Sequence, residues 1–541
     1  MKWRNRGWIN APLSGLLLVL AYPNFNLWPL AWVALVPFYL ALTRLPRRRG
    51  EAVEPAATKA LRAIRWSNFM ARRAFVAEPA TLASPAAPTG GTRLPRSNRG
   101  GLGFWLGFTM FLTGVYWISE LNGTTPADKL FPWIGLAAIQ GSFFAIFAAL
   151  AGGALPKLPA PVRPMAFAAG WVTFEFIRSL GLLNFPWLIL AISQAHGGGL
   201  YWLQLVSVGG QWLLSFAIAL VNGLLAEAWR TKSWKPAIMA AALFLGIGLY
   251  GGLVSIRYNS LKGLWDRTNR RPITVVALQA GRENMDGIPD YAPLTETAKA
   301  ELIVWPEAAA GPLVGSEWRS KFLSELAIRT KTDLLIGAGE ATPHTNTVWH
   351  LRPDGSTGGR YDKQVLVPGG EFFPLYEVLG PIYFRFGATP EWNHAVGSKP
   401  GVFMLANGTK VGTIICYESV LPWVARQEVQ EGAELLVQPT SDSSFGKTAG
   451  PYQHLGIAIT RAVENRRYII RAAATGVSAV IWPDGRIEKS LELNKIGTLT
   501  DKIMPLEERS LASRIGDLVA YLCAAGSVVA LVLARRGKIP V

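Results

Sequence analysis

The chain has 541 residues, of which 50% are hydrophobic and only 17% charged, and its mean hydropathy is +0.23. Soluble domains carry about 25% charged residues, so this composition excludes an ordinary soluble globular protein and points to a membrane protein. The formal net charge of +18 does not mark a nucleic-acid binder, because the basic residues sit in loops between apolar runs rather than along one face.

Taken in order, the apolar runs predict about eight membrane spans, at 8–22, 27–44, 102–119, 131–153, 164–181, 203–227, 236–256 and 514–534. Each is near the roughly 20 residues needed to cross the hydrocarbon core, the first being short. The stretch 183–195, with Asn184-Phe185-Pro186-Trp187, is too short to cross and predicts an interfacial or re-entrant segment. Lys2, Arg4 and Arg6 precede the first span, and residues 44–99 hold 12 Lys/Arg against 3 Glu. Lys157, Arg163, Arg230, Lys232, Lys235, Arg535, Arg536 and Lys538 fall on that same side if seven spans precede the large polar region and one follows it. The excess of basic residues on cytoplasmic loops then places both termini in the cytoplasm and residues 257–510 outside it. Three regions result. Residues 1–256 form a seven-span domain with a basic cytoplasmic insertion at about 45–101, 257–510 an extracytoplasmic domain, and 511–541 a last span with a basic tail. The insertion is rich in Ala, Pro, Arg and Gly and reads as a partly disordered loop with one basic helix at about 57–76.

In the extracytoplasmic region short apolar runs alternate with helical stretches, which predicts a layered α/β domain. Strands are expected at 273–279, 301–305, 334–338, 347–351, 411–415, 434–438, 468–473 and 479–481, and helices at about 316–331 and 452–466. Arg352-Pro353-Asp354-Gly355 and Trp482-Pro483-Asp484-Gly485 are hairpin turn signals. Three stretches place chemical groups after strands or in loops. Pro306 stops a strand so that Glu307 projects from its end; Lys363 and Glu371 lie in a loop of apolar and turn residues; and Gly412-Thr413-Ile414-Ile415 runs into Cys416-Tyr417-Glu418. The chain has two cysteines, and Cys523 lies in the last apolar run, so Cys416 has no evident disulfide partner. A free thiol near pKa 8.5 is only a few per cent thiolate at neutral pH. A carboxylate to take its proton and an ammonium to hold an oxyanion would make it an acyl-transfer nucleophile without histidine. The bland alternatives are a buried structural thiol, an exposed loop glutamate and a charged surface loop. The five histidines lack metal-ligand spacing, and there is no CxxC or HExxH, so neither metal nor other cofactor is expected.

Trp305-Pro306-Glu307, Tyr361-Asp362-Lys363 with Pro368-Gly369-Gly370-Glu371-Phe372-Phe373-Pro374, and Ile415-Cys416-Tyr417-Glu418 resemble the Glu-Lys-Cys triad motifs of the nitrilase (carbon–nitrogen hydrolase) superfamily. With the flanking spans, and with Gly450-Pro451-Tyr452-Gln453-His454, Arg461-Ala462-Val463-Glu464-Asn465 and Phe176-Ile177-Arg178, they resemble its membrane branch, the apolipoprotein N-acyltransferases. The resemblance implies an α-β-β-α sandwich on a polytopic helical bundle in the bacterial inner membrane. It implies acyl transfer from a phospholipid, phosphatidylethanolamine for choice, through a cysteine thioester to the N-terminal amine of diacylglyceryl-cysteine lipoproteins. By position, Cys416 is then the nucleophile, Glu307 the general base and Lys363 the thiolate and oxyanion stabiliser, with Glu371, Tyr417 and Glu418 in supporting or substrate-binding roles. Phe372-Phe373-Pro374-Leu375 and Pro381-Ile382-Tyr383-Phe384 would shield the site or dip into lipid. Two stretches depart from the family's pattern: Gln279-Ala280-Gly281-Arg282-Glu283-Asn284, with a short connection to Glu307, and Ser441-Asp442-Ser443-Ser444-Phe445-Gly446, where Ser444 replaces a tryptophan. A membrane-tethered amidase acting on a small amide, an inactive paralogue, and a transporter using Glu175 and Arg178 are the alternatives.

Overall fold

In the structure, a computed structural model, the described residues are 7–43, 99–121, 126–181, 184–258, 261–268, 270–281, 287–341, 343–385 and 393–536. The expected basic insertion lies outside them apart from 99–101, as do 282–284 of the departure after Gln279 and the side chains of 382–384.

Among the described residues, four helical segments are long and apolar enough to cross a membrane: Lys129–Lys157, Val206–Thr231, Lys235–Arg257 and Leu518–Arg536. The other predicted spans form shorter helices. Gly7–Val19 has 13 residues, Arg99–Gly114 has 16 and Arg163–Ile177 has 15. The run 27–44 is not one helix but a 3₁₀ turn, Trp28–Trp32, followed by Val36–Leu42. Pro29 and Pro37 each open one of these pieces; proline supplies no amide hydrogen and crowds the preceding turn, so it suits a helix start and breaks a helix interior.

The segment expected to be interfacial or re-entrant runs irregularly from 184 into the 3₁₀ turn Leu190–Gln194, with Trp187 to Ala195 buried. Backbone without regular hydrogen bonds survives there because side chains satisfy it. Arg178 donates to the carbonyl of Trp187 at 2.7 Å and to Gln140 Oε1 at 2.5 Å. The Glu175 carboxylate accepts from the Leu190 amide at 2.7 Å and from Trp171 Nε1 at 3.0 Å. These two residues therefore have structural work in pinning the segment.

The α/β region consists of two six-stranded sheets. β1 (Ile273–Gln279), β2 (Leu302–Val304), β3 (Asp333–Ala341), β4 (His344–Leu351) and β5 (Thr357–Asp362) join β12 (Gly497–Ile503) in the order β12-β1-β2-β3-β4-β5. β6 (Val402–Met404), β7 (Lys410–Thr413), β8 (Leu435–Thr440), β9 (Ile469–Ala473), β10 (Ser478–Ile481) and β11 (Ile487–Leu491) form the second sheet in the order β11-β10-β9-β8-β7-β6. Each has a parallel centre, β1-β2-β3 and β7-β8-β9, flanked by antiparallel strands.

Strand periodicity distributes these residues into three cores between four layers. Val275, Val304, Leu335 and Val348 of the first sheet meet Val411, Val437, Ile470 and Val480 of the second in one core. The alternate residues Val276, Leu278, Ile303 and Ile336 pack on the helices Ile288–Thr297 and Glu317–Thr330. On the second sheet, Ile414, Leu436, Ile469 and Ala479 pack on the helices Pro422–Gln430 and Gly450–Asn465, and this core continues without a break into the apolar helices. The expected α-β-β-α sandwich is thus present, with one outer layer fused to the helical bundle.

Candidate active site

Strand ends from both sheets converge on Glu307, Lys363, Glu371 and Cys416. Glu307 follows β2, where the Trp305 amide bonds to the Leu335 carbonyl and Pro306 ends the strand. Its Oε1 accepts from Asn346 Nδ2 at 2.6 Å and from Lys363 Nζ at 3.3 Å, and its Oε2 accepts from the Ser441 amide at 2.9 Å. Lys363, one residue beyond β5, is 1% exposed and donates to Glu371 Oε1 at 2.7 Å. Glu371 is held from both ends, by Asn346 Nδ2 at 3.0 Å and by the Val367 amide at 2.9 Å. Burial alone pulls the Lys363 ammonium down, but the carboxylates of Glu371 and Glu307 override it and raise its pKa above the ordinary lysine value. Burial pushes the Glu371 carboxyl up, yet Lys363 holds it below the usual carboxylate range.

Cys416 leaves β7 in the left-handed region, with φ +50°. A non-glycine residue there costs energy and persists only when its surroundings fix it. Its carbonyl receives Ser419 Oγ at 3.0 Å and Gln438 Nε2 at 3.2 Å, with His454 Nε2 at 3.1 Å. Burial first, and then the charge of Glu307, push the thiol pKa well above its ordinary value; Lys363 opposes this without reversing it.

The supporting residues fall on different sides of the chain. The buried Glu418 turns inward. Its Oε1 accepts from the Gln364 amide at 2.6 Å, its Oε2 from the Ile415 amide at 2.6 Å, and Tyr361 OH lies 2.9 Å from both oxygens. It therefore ties the residue after Lys363 to the residue before Cys416. Burial pushes its carboxyl up to about 7. Tyr417 points towards the helical bundle, where its hydroxyl donates to the Asn184 carbonyl at 2.7 Å. Ser444 is exposed on the 3₁₀ turn Ser443–Phe445, while the neighbouring Phe445 stacks edge-on to Trp117 at 4.6 Å. Among the described residues no group of three or more His, Cys, Asp or Glu is placed to hold a metal ion.

Sequence reasoning missed Asn346, whose amide joins the two carboxylates, and the Ser441 amide. The alternation of Thr345-Asn346-Thr347 is polar throughout, so it gave no apolar strand signal although all three are buried. Their burial is set by tertiary packing, so no local sequence signal marked them.

The carbon-nitrogen hydrolase family matches residues 273–511, and the apolipoprotein N-acyltransferase N-terminal domain matches 14–57 and 81–224. Curated relatives span nearly the whole chain. The apolipoprotein N-acyltransferase of Geobacter metallireducens is 29% identical, covering 98% of this chain and 96% of its own. Those of Pseudomonas paraeruginosa and Azotobacter vinelandii are each 30% identical, covering 94% of this chain and 92% of theirs. Among solved structures, Saccharomyces cerevisiae Nit3, a member of the nitrilase superfamily, is 19% identical over 43% of this chain and 91% of its own, with a TM-score of 0.35. A carbon-nitrogen hydrolase from Helicobacter pylori is 18% identical over 47% of this chain and 93% of its own, also with a TM-score of 0.35. Full-length identity at this level, and the two family matches in their order along the chain, show that the chain belongs to the apolipoprotein N-acyltransferase family.

Proposed function

We propose that this protein transfers a fatty acyl chain from a membrane phospholipid, through a thioester on Cys416, to the N-terminal amine of diacylglyceryl-cysteine lipoproteins. The observation that carries the reading is full-length similarity to curated N-acyltransferases, together with a carboxylate–ammonium cluster beside a lone thiol. In this reading Glu307 accepts the Cys416 proton as sulfur attacks the ester carbonyl of the donor. Lys363, its charge secured by two carboxylates, stabilises the oxyanion. Collapse of the tetrahedral intermediate breaks the C–O bond, and Glu307 returns the proton to the departing lysophospholipid oxygen. In the second step the acceptor amine attacks the thioester, Glu307 takes the amine's proton, and the C–S bond breaks to restore the thiol. A single site serving donor and acceptor in turn gives ping-pong kinetics. Glu371 and Asn346 hold Lys363 and Glu307 in register; Glu418 and Tyr417 hold the nucleophile turn between the sheets and the bundle.

Phosphatidylethanolamine is the proposed donor. Eight spans, divided as 1–256, 257–510 and 511–541, with the catalytic domain on the periplasmic face and both termini in the cytoplasm, are the proposed topology. The asymmetric distribution of Lys and Arg supports it. Water exclusion from a thioester suits a site set against an apolar bundle. Purified protein incubated with labelled phosphatidylethanolamine is expected to gain one acyl group on Cys416 by mass spectrometry and to pass it to a diacylated lipopeptide. Cys416→Ala is expected to do neither, and full transfer by that variant would sink the proposal.

A further inference from the structure

We infer that His454 is a positioning residue of the acyl-transfer reaction, holding the Cys416 main chain in its left-handed turn. This rests on the reading of Cys416 as nucleophile. His454 stands on the helix Gly450–Asn465 and is buried. Its Nδ1 lies 2.7 Å from Asp442 Oδ1. The carboxylate is itself ion-paired with the buried Arg471, and it fixes the ring by accepting the Nδ1 hydrogen. The opposite ring nitrogen, Nε2, is thereby aimed at three atoms at once: the Cys416 carbonyl at 3.1 Å, Ser419 Oγ at 3.1 Å and Gln438 Nε2 at 3.3 Å. Ser419 and Gln438 are the two groups that donate to that same carbonyl. Three polar side chains around a single half-buried carbonyl are what a strained turn requires, since regular secondary structure does not fix it.

Two further placements give the cluster a catalytic consequence. Two successive residues leaving β8 address two different groups of the site: the Ser441 amide binds Glu307 Oε2 at 2.9 Å, and Asp442, which also accepts from Thr440 Oγ1 at 3.2 Å, holds His454. One strand end therefore sets the proposed base and the positioning histidine together. The residue before His454 is Gln453, whose Oε1 accepts from Trp187 Nε1 at 2.7 Å and Trp117 Nε1 at 3.0 Å, and whose Nε2 donates to the Gly114 carbonyl at 2.8 Å. Adjacent side chains on one helix thus grip the helical bundle and the nucleophile turn. The helix transmits the position of the bundle to the Cys416 backbone.

The test compares His454→Ala, His454→Gln and Ser419→Ala in the full-length, detergent-solubilised protein. Three quantities are read: rate and KM of thioester formation from phosphatidylethanolamine, rate of Cys416 alkylation by iodoacetamide, and melting temperature. Misplacement of a reacting group by about 1 Å costs roughly 100-fold. His454→Ala is expected to slow thioester formation and alkylation by up to about that factor with KM and melting temperature little changed. His454→Gln, which keeps a polar group near the carbonyl, is expected to recover part of the rate, and Ser419→Ala to lose less than His454→Ala. Parent rates in a folded His454→Ala variant overturn the role. So does a loss that follows the melting temperature alone, with no recovery in His454→Gln. Thioester formation that persists in Cys416→Ala instead overturns the nucleophile assignment beneath it, and that outcome is read separately.

Discussion

The two sheets have matching topologies but different surroundings. The first carries Glu307, Asn346 and Lys363, and its outer face is covered by two helices of its own, with Trp318 and Ile328 exposed on the second of them. The second carries Cys416, and its outer face shares one core with the apolar helices. Polar ties reinforce that junction. Arg461 reaches Gln211 Oε1 at 2.7 Å, and Arg426 pairs with Asp517 at 2.8 Å. The bundle helix Val206–Thr231 breaks at Gly209 and Gly210, and Gly210, with φ +69°, lets the Glu464 carboxylate approach where a Cβ would sit 2.9 Å from it. The proposed base and cation thus stand on the sheet covered by its own helices, whereas the proposed nucleophile is fastened to the helical bundle. For an enzyme whose proposed substrates are both lipids, the group proposed to carry the acyl chain is the one registered against the bundle.

Substitutions on the two sides should separate these roles. The largest effect is expected for Lys363→Met, which removes the proposed oxyanion donor and strands Glu307 and Glu371 as buried carboxylates; acyl transfer should fall roughly 100- to 1,000-fold. Steady-state transfer to a lipopeptide checks this, and a rate within threefold of the parent would contradict the assigned role. Leu326→Ala in the first sheet's outer layer should cost about 2–5 kcal/mol of stability, read by thermal melting. Turnover per folded molecule should stay at the parent level, because this layer touches neither the nucleophile turn nor the bundle. Gln453→Leu orphans the Trp117 and Trp187 indoles, at about 1–3 kcal/mol for each buried group. Here turnover should fall as well as stability, because the helix that bears His454 loses its grip on the bundle. Equal behaviour of the two variants would erase the distinction between the layers.

The smallest effect concerns pH. Burial pushes Glu428, on the helix behind Cys416, up to about 8 and Glu418 up to about 7, against an ordinary value near 4.3 in the unfolded chain. A raised folded-state pKa means that the stabilising contribution is complete below the unfolded value and is lost as pH rises through the folded one. The melting temperature of the parent should therefore decline between about pH 5 and pH 8. Glu428→Gln should flatten part of that decline, and an unchanged slope would place the effect elsewhere.

The central strands were legible because they are buried on both faces and read as short apolar runs, such as 273–278 and 435–437. The strands left unassigned are all edges: β5, β6, β11 and β12. The hairpin turns at 352–355 and 482–485 announced partners for two of them without marking their extent. An edge strand has fewer neighbours to bury against. Ile487–Leu491, with Glu488, Lys489 and Ser490 exposed, has too few apolar positions to stand out from a loop.

By itself the sequence determined the apolar-then-α/β organisation and singled out Glu307, Lys363, Glu371 and Cys416 as candidates. Each is a chemical group in a short contiguous motif at a strand end or loop, where local signals suffice. Tertiary structure alone decided what holds these groups. The Ser441 amide reaches Glu307 across 134 positions, His454 reaches the Cys416 carbonyl across 38, and Gln453 joins Trp117 across 336. Such contacts form where two sheets and a helical bundle close on one another, and no local periodicity encodes which buried polar groups will then meet.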